Sequence, residues 1–125
     1  MKTVEDARKL AESMVRVGTR MGKGMSALIT DMNQPLGCTA GNTVEIVETI
    51  ECLKGEGPKD LMDVTLALSA RMLVLGGVAK NDAAALTTLQ AKLDSGEALE
   101  KCKAMVRMQG GDVASIDDVS LMPTA

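Results

Sequence analysis

The 125-residue chain carries 14 basic and 17 acidic residues, no histidine and no aromatic side chain. That length sets one domain as the expectation and lets roughly two thirds of the unfolded surface be buried. The missing histidine removes the usual general base near neutral pH. The missing aromatics remove a stacking platform for single-stranded nucleic acid, and the interspersed charges, net −3, give no basic patch for duplex DNA.

The spacing of apolar residues predicts a mostly α chain with one short strand. Helices are expected over 3–20, 43–54, 58–75, 81–93 and 96–108, a strand over 25–31, a loop over 32–42 and a polar tail over 109–125. In the first helix, Val4, Ala7, Leu10, Ala11, Met14 and Val15 share a face, and Thr3 stands where a cap is needed. Gly18 and Gly22 weaken and end it. The stretch Gly18-Thr19-Arg20-Met21-Gly22-Lys23-Gly24 is glycine-rich and basic, but its spacing is not that of a phosphate-binding loop and no strand precedes it.

Met25 to Asp31 is a short apolar run between glycines and polar residues, which favours a buried strand over a helix. A lone strand cannot satisfy its own backbone ladder. A helix leading into a strand is half of a βαβ unit. The chain is therefore expected to begin in the middle of a fold.

Between Met32 and Gly41, Pro35, Gly37 and Gly41 shape a loop, and Asn42 is the expected N-cap of the next helix with Glu45 three residues on. Val44, Val47, Ile50 and Leu53 line one side of that helix. Pro58, Asp60 and Asp63 suit the start of the third helix. Its broad stripe of Leu61, Val64, Thr65, Leu68, Met72 and Leu75, widened by Leu66 and Leu73, marks it as the expected most buried element. Asn81 caps the fourth helix, with Leu86, Leu89 and Leu93 inward. Leu99, Cys102 and Val106 share a face of the fifth.

Three groups invite chemistry. Glu45 and Glu48 lie three apart on one helix, a spacing that either complements the helix dipole or coordinates a hard cation together with loop carbonyls from Leu36 to Ala40. Asp31 and Asn33 stand at the end of the expected strand, where α/β sites gather, or form an Asx turn. Cys38 lies on a glycine-flanked loop, with no histidine to activate it. The three cysteines form no C-x-x-C pair and suit free thiols in a reducing cytoplasm. The ten methionines read as core filler rather than a soft-metal site. No apolar run reaches the ~20 residues of a membrane span, and the first residues lack the apolar core of a secretory signal.

Ala27-Leu28-Ile29-Thr30-Asp31-Met32-Asn33-Gln34-Pro35-Leu36-Gly37, then Ala40-Gly41-Asn42 and Val44-Glu45-Ile46-Val47-Glu48, closely resemble the pyrimidine nucleoside phosphorylase family, which includes thymidine phosphorylases. The similarity runs on through Leu53-Lys54-Gly55 and Pro58-Lys59-Asp60-Leu61, and more loosely to the end of the chain. The resemblance implies an α/β domain of the nucleoside phosphorylase and phosphoribosyltransferase type. It also implies reversible phosphorolysis of thymidine or uridine, with phosphate as co-substrate and a homodimeric assembly. The family's phosphate- and base-binding residues align upstream of Met1, so the isolated chain is expected to be inactive and to supply no catalytic residue.

The resemblance further implies a potassium-like monovalent cation, or calcium, held by backbone oxygens of Leu36 and Thr39 and by the carboxylate of Glu48. Met1 maps onto a residue near the base. Partners are then the nucleoside, phosphate and either the rest of the domain or a second subunit, with no nucleic acid and no membrane. The alternatives are a non-catalytic helical interaction module that retains the fold, and the related anthranilate phosphoribosyltransferase group, which the loop fits poorly.

Overall fold

The computed structural model describes residues 3–123. Its elements are α1 (Val4–Arg20), α2 (Asn42–Leu53), α3 (Lys59–Leu75), α4 (Asp82–Asp94), α5 (Glu97–Met108), the short α6 (Ala114–Asp117) and a 3-10 turn, Val119–Leu121. No strand forms among the described residues.

Local chemistry sets the helix ends. Thr3 caps α1 by accepting from the Asp6 N–H at 3.1 Å, and Asn81 caps α4 by accepting from Ala84 at 2.9 Å. Helix α1 stops in a Schellman turn. There Gly22, at φ 73°, lets its own N–H reach the Thr19 carbonyl while the Lys23 N–H reaches Gly18. The basic glycine-rich stretch is thus a helix stop. Helix α2 departs from expectation at its start. Gly41 occupies the N-cap position and Asn42 the first helical one, with no side-chain cap bond from either. The Glu45 carboxylate instead reaches back and accepts from the Gly41 N–H at 2.9 Å. Pro58 likewise sits at the N-cap of α3.

Helices α2 to α6 form the packed body. The most extensive contact is α3 on α4, where Ala70 and Ala85 are buried and their small side chains let the two helices approach closely. Helix α5 packs on α4 and on α2, whose Ile50 is buried. Lys103 of α5 ties down α6 by bridging Glu100 and Asp117, at 2.9 and 2.6 Å. The expected burial of α3 along Leu68, Met72 and Leu75 does not occur. These three are about half exposed or more, and the contact is carried by Ala70, which shares its side with the half-buried Leu66 and Leu73 at the edge of the stripe. Periodicity identifies the apolar face of a helix, but a second element must cover that face to bury it.

The strand expected over 25–31 is corrected in the same way. The segment runs beside α1, and together they line an open apolar groove of about 380 Å³. Among the described residues, no residue from 24 to 40 makes a backbone–backbone hydrogen bond. A strand is a property of a pair, and no second extended segment lies alongside. Helix α1 has no buried residue either, although it carries the expected stripe. The accessible surface of 9216 Å² exceeds the roughly 6,400 Å² of a folded monomer of this mass. Among the described residues, no helix is long and apolar enough to cross a membrane.

Candidate functional site

Among the described residues, buried polar groups meet at the junction of the loop with α2 and α3. Glu48 is 5% exposed, the one buried charged side chain among the described residues. The helix delivers it there: Glu48 lies on the same side of α2 as the half-buried Cys52, one turn on. Its Oε1 accepts from the Cys38 N–H at 2.8 Å. Its Oε2 lies so close to Gly37 that a Cβ on that residue would overlap it. Gly37 also has φ 77°, so this turn requires glycine on two counts. Asp60, in the first turn of α3, accepts from the Gly37 N–H at 3.1 Å.

Two carboxylates therefore grip two successive amides. The Gly37 bond holds the Asp60 carboxyl below its usual range, assisted by the Leu61 N–H. A carboxyl shifted down keeps its bond at neutral pH and loses it only as the pH falls through the lowered value. Glu48 forms no ion pair among the described residues. A buried carboxylate with one hydrogen bond and no counter-charge is a costly arrangement unless a cation completes it. Thr39 Oγ1 is also shut away from solvent without a hydrogen-bond partner.

The expected ligands fall around this grip. Glu48 seats on Gly37 and Cys38, the two residues between Leu36 and Thr39. Leu36 is exposed and Thr39 half-buried. Glu45 stands apart as a cap, so the two glutamates of the pair have separate roles. Met1 lies outside the described residues. Among the described residues, no three side chains of Cys, Asp or Glu gather as a metal cluster. Any cation here would depend on backbone oxygens beside Glu48, as the donor chemistry of a hard ion allows.

Other candidates resolve differently. Asp31 Oδ1 accepts from the Asn33 N–H at 2.9 Å, so this pair forms an Asx turn. The Cys52 thiol is pushed up by burial and by the charges of Glu48 and Glu51, which disfavours a reactive thiolate. Sequence reasoning missed Asp60, because its partner lies 23 residues away and its place at a helix start already had a sufficient explanation. The back-reach of Glu45 goes to Gly41, one residue before the expected cap Asn42.

The profile of the glycosyl transferase family, a/b domain, matches residues 1–99. The chain belongs to this family. As a glycosyl transferase a/b domain it is 47% identical over all 125 residues to a pyrimidine-nucleoside phosphorylase of Staphylococcus aureus strain bovine RF122 / ET3-1. It is 46% identical over the same length to the proteins of that name from strains USA300 and NCTC 8325 / PS 47. The glycosyl transferase chain spans 29% of the length of each of these relatives. The resemblance first seen in the loop thus holds along the whole chain.

Proposed function

We propose that this chain is a segment of a cytoplasmic pyrimidine nucleoside phosphorylase, which converts thymidine or uridine and phosphate into the free base and (deoxy)ribose 1-phosphate. The identity of 46–47% across the entire chain to proteins of that name carries the reading. The segment contributes scaffold and part of a cation site. Backbone oxygens of Leu36 and Thr39 and the Glu48 carboxylate would hold a potassium-like ion or calcium. The unpaired burial of Glu48 and the orphaned Thr39 hydroxyl support that assignment.

When bound, such an ion supplies positive charge beside the phosphate. The chain's own residues build the loop. Glu48 fixes the Cys38 amide, Gly37 admits the carboxylate, and Glu45 anchors the start of α2. The groups that bind phosphate and base belong to the remainder of the domain or to a second subunit.

The test is phosphate-dependent release of thymine or uracil from the nucleoside by the complete polypeptide. Release that does not require phosphate, or no release from either nucleoside, would overturn the reading. The 125-residue chain assayed alone is expected to release no base. In the complete enzyme, Glu48→Gln is expected to raise the potassium concentration for half-maximal activity by about tenfold or more. An unchanged ion dependence would remove Glu48 from the cation site.

A further inference from the structure

We infer that Asp60 is a positioning residue for the cation loop: its grip on the Gly37 N–H aims the Leu36 carbonyl oxygen toward the side where Glu48 lies. This rests on the cation reading above and adds a residue that neither the loop nor its helix announces.

The geometry follows from one peptide plane. The Leu36–Gly37 bond is trans, as is every peptide bond among the described residues. In a trans peptide the carbonyl oxygen points opposite to the N–H and lies on the same side of the C–N bond as the following Cα. The Gly37 N–H is committed to Asp60 Oδ2 at 3.1 Å. The Leu36 oxygen must therefore face away from Asp60, on the side of Gly37 Cα. Glu48 Oε2 stands where a Cβ borne on that Cα would sit. Asp60 thus fixes the turn of the Leu36–Gly37 peptide, while the Cys38 N–H fixes Glu48 beside the same glycine.

Without Asp60 the Gly37 amide has no partner, and this peptide is free to rotate about the bonds flanking it. Glycine at φ 77° does little to oppose that rotation. Nothing else among the described residues hydrogen-bonds the loop between Gln34 and Gly37. Asp60 is itself exposed, so it is accessible to substitution without opening the core.

The experiment follows the thermal unfolding midpoint of the complete polypeptide as potassium chloride replaces choline chloride at constant ionic strength, with calcium chloride as a second titration. Wild type is expected to show a saturable rise. Asp60→Ala is expected to move the half-saturating concentration up about tenfold, the lower end of the effect of supporting residues at metal sites. Asp60→Asn, which keeps an acceptor oxygen, is expected to recover most of that loss. Glu48→Gln should likewise move the half-saturating concentration up by about tenfold or more.

A purely structural role for Asp60 would lower the midpoint without added cation and leave the half-saturating concentration unchanged. That result overturns the inference while the cation reading stands. A wild type that responds to neither ion overturns both. If Asp60→Ala fails to fold, the comparison rests on Asp60→Asn, for which a half-saturating concentration equal to or above tenfold wild type would show that the charge, and not the oriented peptide, matters.

Discussion

Replacing Gly37 with alanine is expected to cost about 3 kcal/mol of stability. Two effects add. An L-residue held at the φ of 77° found here carries strain of about 1–2 kcal/mol. The new Cβ also overlaps Glu48 Oε2. Glu48 is buried and bonded to the Cys38 amide, so moving it aside leaves a charge and an N–H without partners. Losing that bond adds about 1–3 kcal/mol. Urea unfolding of the complete polypeptide measures the sum. Gly110→Ala is the control, because Gly110 has φ 80° with nothing near its would-be Cβ. If the two variants lost the same stability, Gly37 would be a strained turn and no more, and Glu48 would not be braced against it. The expected excess for Gly37→Ala comes entirely from the displaced carboxylate.

Amide hydrogen exchange should divide the 125-residue chain in two. Residues 24–36 have no backbone–backbone hydrogen bonds and are exposed throughout, so their amides are expected to exchange at nearly the unprotected rate. Amides in the middle of α3 and α4 are expected to be slower by on the order of a hundredfold or more, since opening them requires separating the Ala70–Ala85 contact region. The Asn33 amide, bonded to Asp31, and the Gly37 and Cys38 amides should be intermediate. Protection across residues 25–31 in the 125-residue chain would mean that this segment finds a ladder partner, as a self-associating edge would provide. In the complete polypeptide the same residues are expected to become protected.

The helices were legible because each carries its own evidence in apolar spacing and end chemistry. Thr3 and Asn81 cap as their side chains suggest, and glycine pairs mark the ends of α3 and α5. What failed was whatever depends on a second element. The run 25–31 has the composition of a strand, but pairing is not written in one segment. The stripe through Leu68, Met72 and Leu75 shows which face of α3 is apolar without saying whether anything covers it.

The candidate site divides along the same line. The spacing of Glu45 and Glu48 made them look like a pair, because helical geometry places residues three apart on neighbouring positions. The fold separates them, sending Glu45 back to Gly41 and Glu48 under Cys38. Leu36 and Thr39 entered through resemblance to a known loop, and no local pattern singles them out. Asp60 could be read as a helix start but not as a partner of Gly37, since that bond spans 23 residues and the whole of α2.

The exposure of the methionines turns a weakness of this chain into a set of chemical reporters. With no aromatic residue, near-ultraviolet absorbance and intrinsic fluorescence carry no information about its packing. Met32 and Met108, at 92% and 89% exposed, stand at opposite ends of the α2–α5 body in sequence, and Met14, Met21 and Met25 are exposed on α1 or just after it. Thioethers in such positions take up oxygen from dilute peroxide as sulfoxides. Mass spectrometry of the oxidised peptides would then follow, methionine by methionine, which faces become covered when the chain meets its neighbours.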